Sequence, residues 1–228
     1  MKNAILLCFL FLQFSSSGQT YKVIYEQRES INLPEELIEY KDRTDCEKYN
    51  IRVFEYLVNN VYSSYLFTSS YIDNLSCYEA YAGTFPGASE TYFMKIDSGK
   101  VYKNSYTLLR EDEFIEFDLK NEFSIVEKDS QQKILCEHIC KGLTVKNSRG
   151  SLFKIWYADD IYLPGGPEIF GGFPGLVLSV EYKDGNKVIV AKKVTKTYDA
   201  EILIPEIKFV MSNNEFINKM NERFKKPK

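Results

Sequence analysis

Leu176-Val177-Leu178-Ser179-Val180-Glu181-Tyr182-Lys183-Asp184-Gly185-Asn186-Lys187-Val188-Ile189-Val190-Ala191 is the stretch whose reading decides the fold. Two runs of aliphatic and β-branched residues flank Asp184-Gly185, a dipeptide suited to the two positive-φ positions of a type I′ hairpin turn. Alternation puts Leu176, Leu178, Val180 and Tyr182 on one face of the first strand, and Lys187 to Ala191 is predicted to return antiparallel to it.

Upstream, Leu152 to Tyr157 reads as a third strand of the same kind. Further short runs, broken by Asp, Asn, Ser and Gly, sit at Tyr21–Gln27, Arg52–Leu57, Tyr65–Phe67, Tyr92–Ile96, Val101-Tyr102, Phe114–Phe117 and Phe123–Val126. That is the pattern of a strand meander. Leu33 to Tyr40 carries Pro near its start and acids in its first turn, as a short helix would. Downstream, Ser212-Asn213-Asn214-Glu215 is a capping box, and Phe216, Ile217, Met220 and Phe224 form one apolar stripe. The predicted fold class is mainly β (α+β), a curved antiparallel sheet or open half-barrel with a C-terminal amphipathic helix packed on it.

Composition fits one such core. The 228 residues are 44% hydrophobic and 27% charged, and 29 basic against 32 acidic side chains give a net charge of −3. There is no global positive field to gather phosphate backbones, so nucleic acid is excluded as the main partner. Aromatic residues reach 15%, with 17 Tyr and 16 Phe against a single Trp, the bias of a core built by strands.

Met1 to Leu12 gives one positive charge followed by an apolar run too short to cross a bilayer, then Ser15-Ser16-Ser17-Gly18. This reads as a signal peptide over 1–18, cut after Gly18, with a single domain over 19–228. A retained anchor fits less well, and lipidation at Cys8 is rejected because Leu7 stands where a small residue is wanted. The expected destination is the periplasm or cell envelope, or the extracellular space, with no membrane span after processing. In that oxidising setting Cys46, Cys77, Cys136 and Cys140 are disulfide candidates. If the chain is extended through Lys133–Lys141, Cys136 and Cys140 stand about 13 Å apart and would have to pair separately with Cys46 and Cys77. A turn there would restore a local bridge.

Residues able to carry chemistry are few. His138 is the only histidine, in Cys136-Glu137-His138-Ile139-Cys140. On a strand it would share a face with both cysteines, but these stand too far apart to bind one zinc, and a structural or solvent-facing histidine is favoured. Glu111-Asp112-Glu113 and Asp159-Asp160 supply acids, more often solvated turns than catalytic pairs. No nucleophile elbow, phosphate loop, calcium loop or zinc-finger spacing is present. No catalytic, cofactor-binding or metal residue is therefore assigned, and no cofactor is expected.

The densest signal runs from Trp156 to Leu178, where five of the chain's 12 glycines and three of its 7 prolines fall. Phe173-Pro174-Gly175-Leu176 suits a type II turn with Gly175 at positive φ. The other glycines allow tight bends or close backbone approach, so this is a binding rim or a structural crossover, with the structural role favoured. Gly172-Phe173-Pro174-Gly175-Leu176-Val177 resembles the signature of the GLPGLI family, secreted Bacteroidetes proteins. Trp156, Tyr157, Ile161, Pro164, Gly166, Pro167, Phe170 and Gly171 stand in that family's order, as do Lys133-Ile134-Leu135 and Cys140-Lys141 upstream and Glu215-Phe216 downstream. The family is one of uncharacterised function, so the resemblance implies no catalytic residue.

The expected function is a non-catalytic exported protein of that type, with an aromatic concave face binding an apolar, peptide or glycan-derived ligand. A second expectation is an adaptor for an outer-membrane transport or export complex, with an exposed apolar patch around Trp156 to Phe173. A third, weaker one is a carboxylate hydrolase using Asp159 or Asp160.

Overall fold

The computed structural model describes residues 19–30, 49–72, 90–105, 108–198 and 200–223. The expected signal peptide, the Leu33–Tyr40 helix, Cys46, Cys77 and Phe224 lie outside these residues.

Among the described residues twelve strands form one sheet: β1 (Thr20–Ser30), β2 (Tyr49–Val58), β3 (Tyr62–Ile72), β4 (Glu90–Lys95), β5 (Lys100–Ser105), β6 (Glu113–Asp118), β7 (Phe123–Leu135), β8 (His138–Asn147), β9 (Leu152–Ala158), β10 (Leu176–Tyr182), β11 (Lys187–Thr197) and β12 (Phe209–Ser212). Their spatial order is β12-β6-β5-β4-β3-β2-β1-β11-β10-β9-β8-β7, antiparallel throughout except that β12 runs parallel to β6. Two meanders thus meet in the middle of the sheet, where β1 pairs with β11. This is the expected mainly β, open curved sheet, with the short helix α1 (Leu119–Glu122) and the C-terminal helix α2 (Asn213–Arg223).

One side of the sheet carries the main core, with Val23, Tyr25, Phe54, Tyr56, Tyr65, Tyr92, Met94, Ile155, Val180 and Ile189 in a single cluster. The period of two explains the membership: Tyr25 pairs with Phe54, which pairs with Phe67, and Tyr56 with Tyr65, which pairs with Tyr92. On the other side, Phe93, Tyr102 and Phe114 are covered by Ile204 and Ile207. Trp156 is buried as part of the main cluster; its indole donates to Glu181 at 3.1 Å while the Lys133 and Lys154 ammonium groups lie 5.5 and 4.7 Å from its ring. The capping box forms as predicted, with Glu215 N–H donating to Ser212 Oγ at 3.2 Å and Ser212 N–H to Glu215 Oε2 at 2.6 Å. Helix α2 rests only lightly on the sheet, since none of its residues is buried.

Three turns differ from expectation. The β10–β11 connection spans residues 183–186 and only Gly185 is left-handed, at φ 75°, with its N–H donating to Tyr182 O at 2.9 Å. That is a longer loop than the two-residue type I′ turn. Gly175 does not take positive φ; Gly172 does, at 81°. Gly175 is required because a Cβ there would collide with the Ala158 carbonyl. Finally, Cys136 and Glu137, at φ 48° and 69°, form the two-residue turn joining β7 to β8, with Leu135 opposite His138. The extended segment assumed for the cysteines therefore does not exist.

Candidate functional site

The glycine-proline stretch forms an inward loop. After β9 the chain crosses the concave face and presses its backbone on the opposite strands. Gly166 N–H donates to Tyr56 Oη at 2.9 Å, and a Cβ on Gly165 would collide with that hydroxyl. Gly171 packs so closely on Leu119 and Met94 that a Cβ would come within about 3 Å of both side chains. Phe170 stacks with Phe123 at 5.2 Å between centroids, and Phe173 lies 5.8 Å from the same ring. Trp156, Tyr157, Gly166, Pro167, Phe170, Phe173, Leu176 and Val177 are all buried.

Where the loop crosses it, the concave face is occupied by the chain's own rings and backbone. Of the five rings from Trp156 to Phe173 only Tyr162, at 85% exposure, faces solvent, so together they form no exposed apolar patch. The Asp159-Asp160 pair is divided between separate partners: Asp159 bridges to Lys141, and Asp160 Oδ2 lies 2.7 Å from His138 Nδ1. The hydrogen bond from Lys141 holds the Asp159 carboxyl below its usual range, so it is no proton donor near neutral pH.

Of the four cysteines, two fall among the described residues: Cys136 and Cys140 are not bridged to each other, and their thiols turn to the Ala191 and His138 carbonyls. Burial pushes the Cys136 thiol up and the Cys140 thiol to about 11, the opposite of an activated nucleophile.

The loop carries a polar group to one end of the sheet. Glu168 sits at its tip with φ 52°, a left-handed conformation that costs a non-glycine residue about 1 kcal/mol or more. Its carboxylate accepts from Lys187 Nζ at 2.5 Å and from Tyr182 Oη at 3.3 Å. Facing it at the same end are Glu90, which accepts from Tyr92 Oη at 2.8 Å and pairs with Lys103 at 2.6 Å, and Glu29, which pairs with Arg52 at 3.5 Å. The register explains the convergence. The ends of β1, β3, β5 and β10 and the starts of β2, β4 and β11 all lie at this mouth.

Curvature closes the distance across it. Glu90 and Lys187 stand on strands four places apart in the sheet, roughly 19 Å if it were flat. Yet the Lys187 charge helps to draw the Glu90 carboxyl down, and both Glu168 and Glu90 push up the Tyr65 and Tyr92 phenols, already raised by burial. For Glu90, burial pushes upward, but Lys103, with the Lys103 and Tyr92 hydrogen bonds, outweighs it and leaves the carboxyl below its usual range. Side-chain exposure rises from 9% at Glu168 through 30% at Glu90 to 42% at Glu29, so the cluster has a buried floor and a wet rim.

One hydroxyl on that floor has no partner. Tyr25 Oη donates to Val177 O, Tyr56 Oη accepts from Gly166, and Tyr92 and Tyr182 donate to carboxylates. Tyr65 Oη, in a residue 1% exposed, has no hydrogen bond among the described residues, nor has Gln27 Oε1 at the edge of the cluster. None of these mouth residues stood out in the sequence. Their only early signal is the alternation that placed Tyr182 and Lys187 on strands beside the hairpin turn.

Residues 67–216 match the family described as the N-glycanase peptide, N-terminal domain. No curated protein matches the chain. Among solved structures, PNGF-II in a C2 crystal form superposes with a TM-score of 0.54 at 16% identity, covering 88% of this chain and 32% of that one. PNGF-II in a P21 form gives a TM-score of 0.49 at 19% identity, with coverage of 88% and 33%. The chain thus spans about a third of the length of these relatives, and at such identities the likeness concerns the fold alone. The family match replaces the expected GLPGLI membership. Of the residues that carried that resemblance, Gly175 answers to close backbone approach and Gly172 to a left-handed φ, local demands of the loop that do not identify a family. With 67–216 covering more than half of its length, the chain belongs to the N-glycanase peptide N-terminal domain family.

Proposed function

We propose that this chain is a glycan-related module that recognises N-glycosylated proteins, in place of the GLPGLI-type envelope protein first expected. The observation that carries the reading is the match of residues 67–216 to a domain found at the N-terminus of N-glycanase proteins. The chemistry of the mouth supports it. Sugars present hydroxyl groups, and the partly exposed Glu29–Arg52 and Glu90–Lys103 pairs at the rim offer them acceptors and donors. Export, as expected from Met1–Gly18, is part of the proposal and would bring the chain into contact with glycoproteins outside the cytoplasm. No helix among the described residues is long and apolar enough to cross a membrane.

The test is binding of the purified chain to an immobilised N-glycoprotein before and after enzymatic removal of its glycans. The reading expects binding that disappears with the glycans. Equal binding to both forms, or to neither, contradicts it.

A further inference from the structure

We infer that β7 is a docking edge for a second copy of this chain, the two β7 strands lying antiparallel about a two-fold axis at Ser130. Neither the mouth nor a glycan enters this pairing.

β7 closes one end of the sheet, and no strand among the described residues lies beyond it. With 13 residues it is the longest described strand, whereas β12 at the other end offers only 4. Alternate residues of β7 turn their N–H and C=O away from β8, and Val126 and Ile134 are 57% and 74% exposed. Such an edge is a template for another strand unless something blunts it. Two irregularities do so against an ordinary strand: the register with β8 slips between Ile125 and Glu127, and again between Lys128 and Gln132, where three residues of β7 oppose Gly142 alone. A regular strand cannot follow the outer edge through that second bulge. A copy of β7 can, because an axis at Ser130 sets bulge against bulge.

The same axis sets Glu127 opposite the partner's Lys133, Lys128 opposite the partner's Gln132 and Val126 opposite the partner's Ile134, each twice per dimer. The faces agree. On β8, Glu127 is opposite Thr144 and Lys133 opposite Cys140, an even number of places apart, so both side chains leave β7 on one face and their backbone groups point the same way. Lys128 and Gln132, opposite Leu143 and Lys141, share the other face. A one-residue slip would put opposed side chains on different faces, and a slip of two would set Lys128 against Ile134 or Glu127 against Gln131.

The charges are placed for a second copy. Glu127 forms no ion pair among the described residues, and Lys133 touches Glu181 at 3.3 Å with its side chain 43% exposed, which leaves ammonium donors for another carboxylate. Asp129 would bring like charges together near the axis, but it is turned onto its own sheet. A Cβ on Gly142 would come within 2.8 Å of Asp129 Cβ, and the Asp129 carboxylate lies 2.7 Å from Lys154 Nζ. Because each copy presents the same surface, the contact closes at two chains and builds no filament.

The test is sedimentation velocity of the purified chain between about 1 and 300 µM. Monomer should give way to dimer with no larger species. Glu127→Lys and Lys133→Glu should each weaken the dimer at least about tenfold, since each turns two attractive pairs into two repulsive ones. Mixed in equal amounts the two variants should dimerise again, because every mixed pair sets a cation against a carboxylate; a merely structural role of either residue would not produce this recovery. Ile134→Asp, at a position the fold leaves exposed, should weaken the dimer by a similar factor, whereas Leu203→Ala, 72% exposed and next to the Ile204 that packs on β4–β6, should not. Melting temperatures are measured alongside to show that each variant is folded. A chain that stays monomeric at 300 µM overturns the pairing, as does a dimer that neither charge reversal nor Ile134→Asp weakens. A dimer weakened by both reversals and not recovered on mixing overturns the register at Ser130.

Discussion

Tyr65→Phe should make the protein more stable, whereas Tyr56→Phe, one strand away, should make it less so. Both rings are buried in the same core, 6.3 Å apart, and both substitutions delete a single oxygen. The difference lies in what the oxygen meets. Tyr56 Oη takes the Gly166 N–H at 2.9 Å, so Phe would strand a buried backbone donor at the point where the inner loop is fastened to β2. Losing the bond and orphaning its donor costs about 2 kcal/mol. Tyr65 Oη meets nothing among the described residues, so Phe removes a desolvated hydroxyl and should return roughly 1 kcal/mol. For a chain of this size each kcal/mol moves the melting temperature by roughly 2–4 °C, giving Tyr65→Phe a rise of about 2–4 °C and Tyr56→Phe a fall of about 4–8 °C. Thermal unfolding followed by circular dichroism reads the difference directly. Urea titration with an unchanged slope would confirm that stability, and not the compactness of either state, has altered. A fall in Tyr65→Phe matching that of Tyr56→Phe would refute the reasoning, since it would mean the hydroxyl is bonded within the fold.

Other outcomes follow from the same geometry. Gly166→Ala and Gly175→Ala set a Cβ against the Phe170 and Ala158 backbones, so each should cost more than about 3 kcal/mol or prevent folding, whereas Gly150→Ala meets open space and pays only for its left-handed φ of 90°. Because the folded Glu90 carboxyl lies below its unfolded value, its contribution to stability is complete above the unfolded pKa and is lost as pH falls through the folded one; Glu90→Gln should flatten this part of the acid limb in urea titrations between pH 6 and about 3. In alkylation of the native protein at about pH 8, Cys136 should react before the fully buried Cys140, both slowly because burial raises their pKa values, and mass spectrometry should find no bridge between them.

Much of the architecture is written in local sequence. Alternation in Leu176–Tyr182, Lys187–Ala191, Leu152–Tyr157 and the runs before them needs only the strand period to be read, and the sheet follows. The capping box at Ser212 is equally local. What escaped depends on contacts between distant segments. The Cys136-Glu137 turn carries neither Gly nor Asn and looks like continuous strand, and only the pairing of β7 with β8 bends it. For the glycines of the inner loop the sequence leaves tight bends and close backbone approach both open, and Gly165, Gly166 and Gly175 are there because strands and backbone pass too close for a side chain. That contact cannot be inferred before the curvature of the sheet is known. The mouth is harder still: Glu29, Arg52, Tyr65, Glu90, Lys103, Glu168 and Lys187 come from seven segments, and only the register and the roll of the sheet assemble them.

Calorimetric titration of the purified chain with an N-glycopeptide, and with the same peptide lacking its glycan, tests the central claim most directly. Saturable binding to the glycopeptide alone is the predicted result. Equal heats from the two peptides, or none from either, would contradict it.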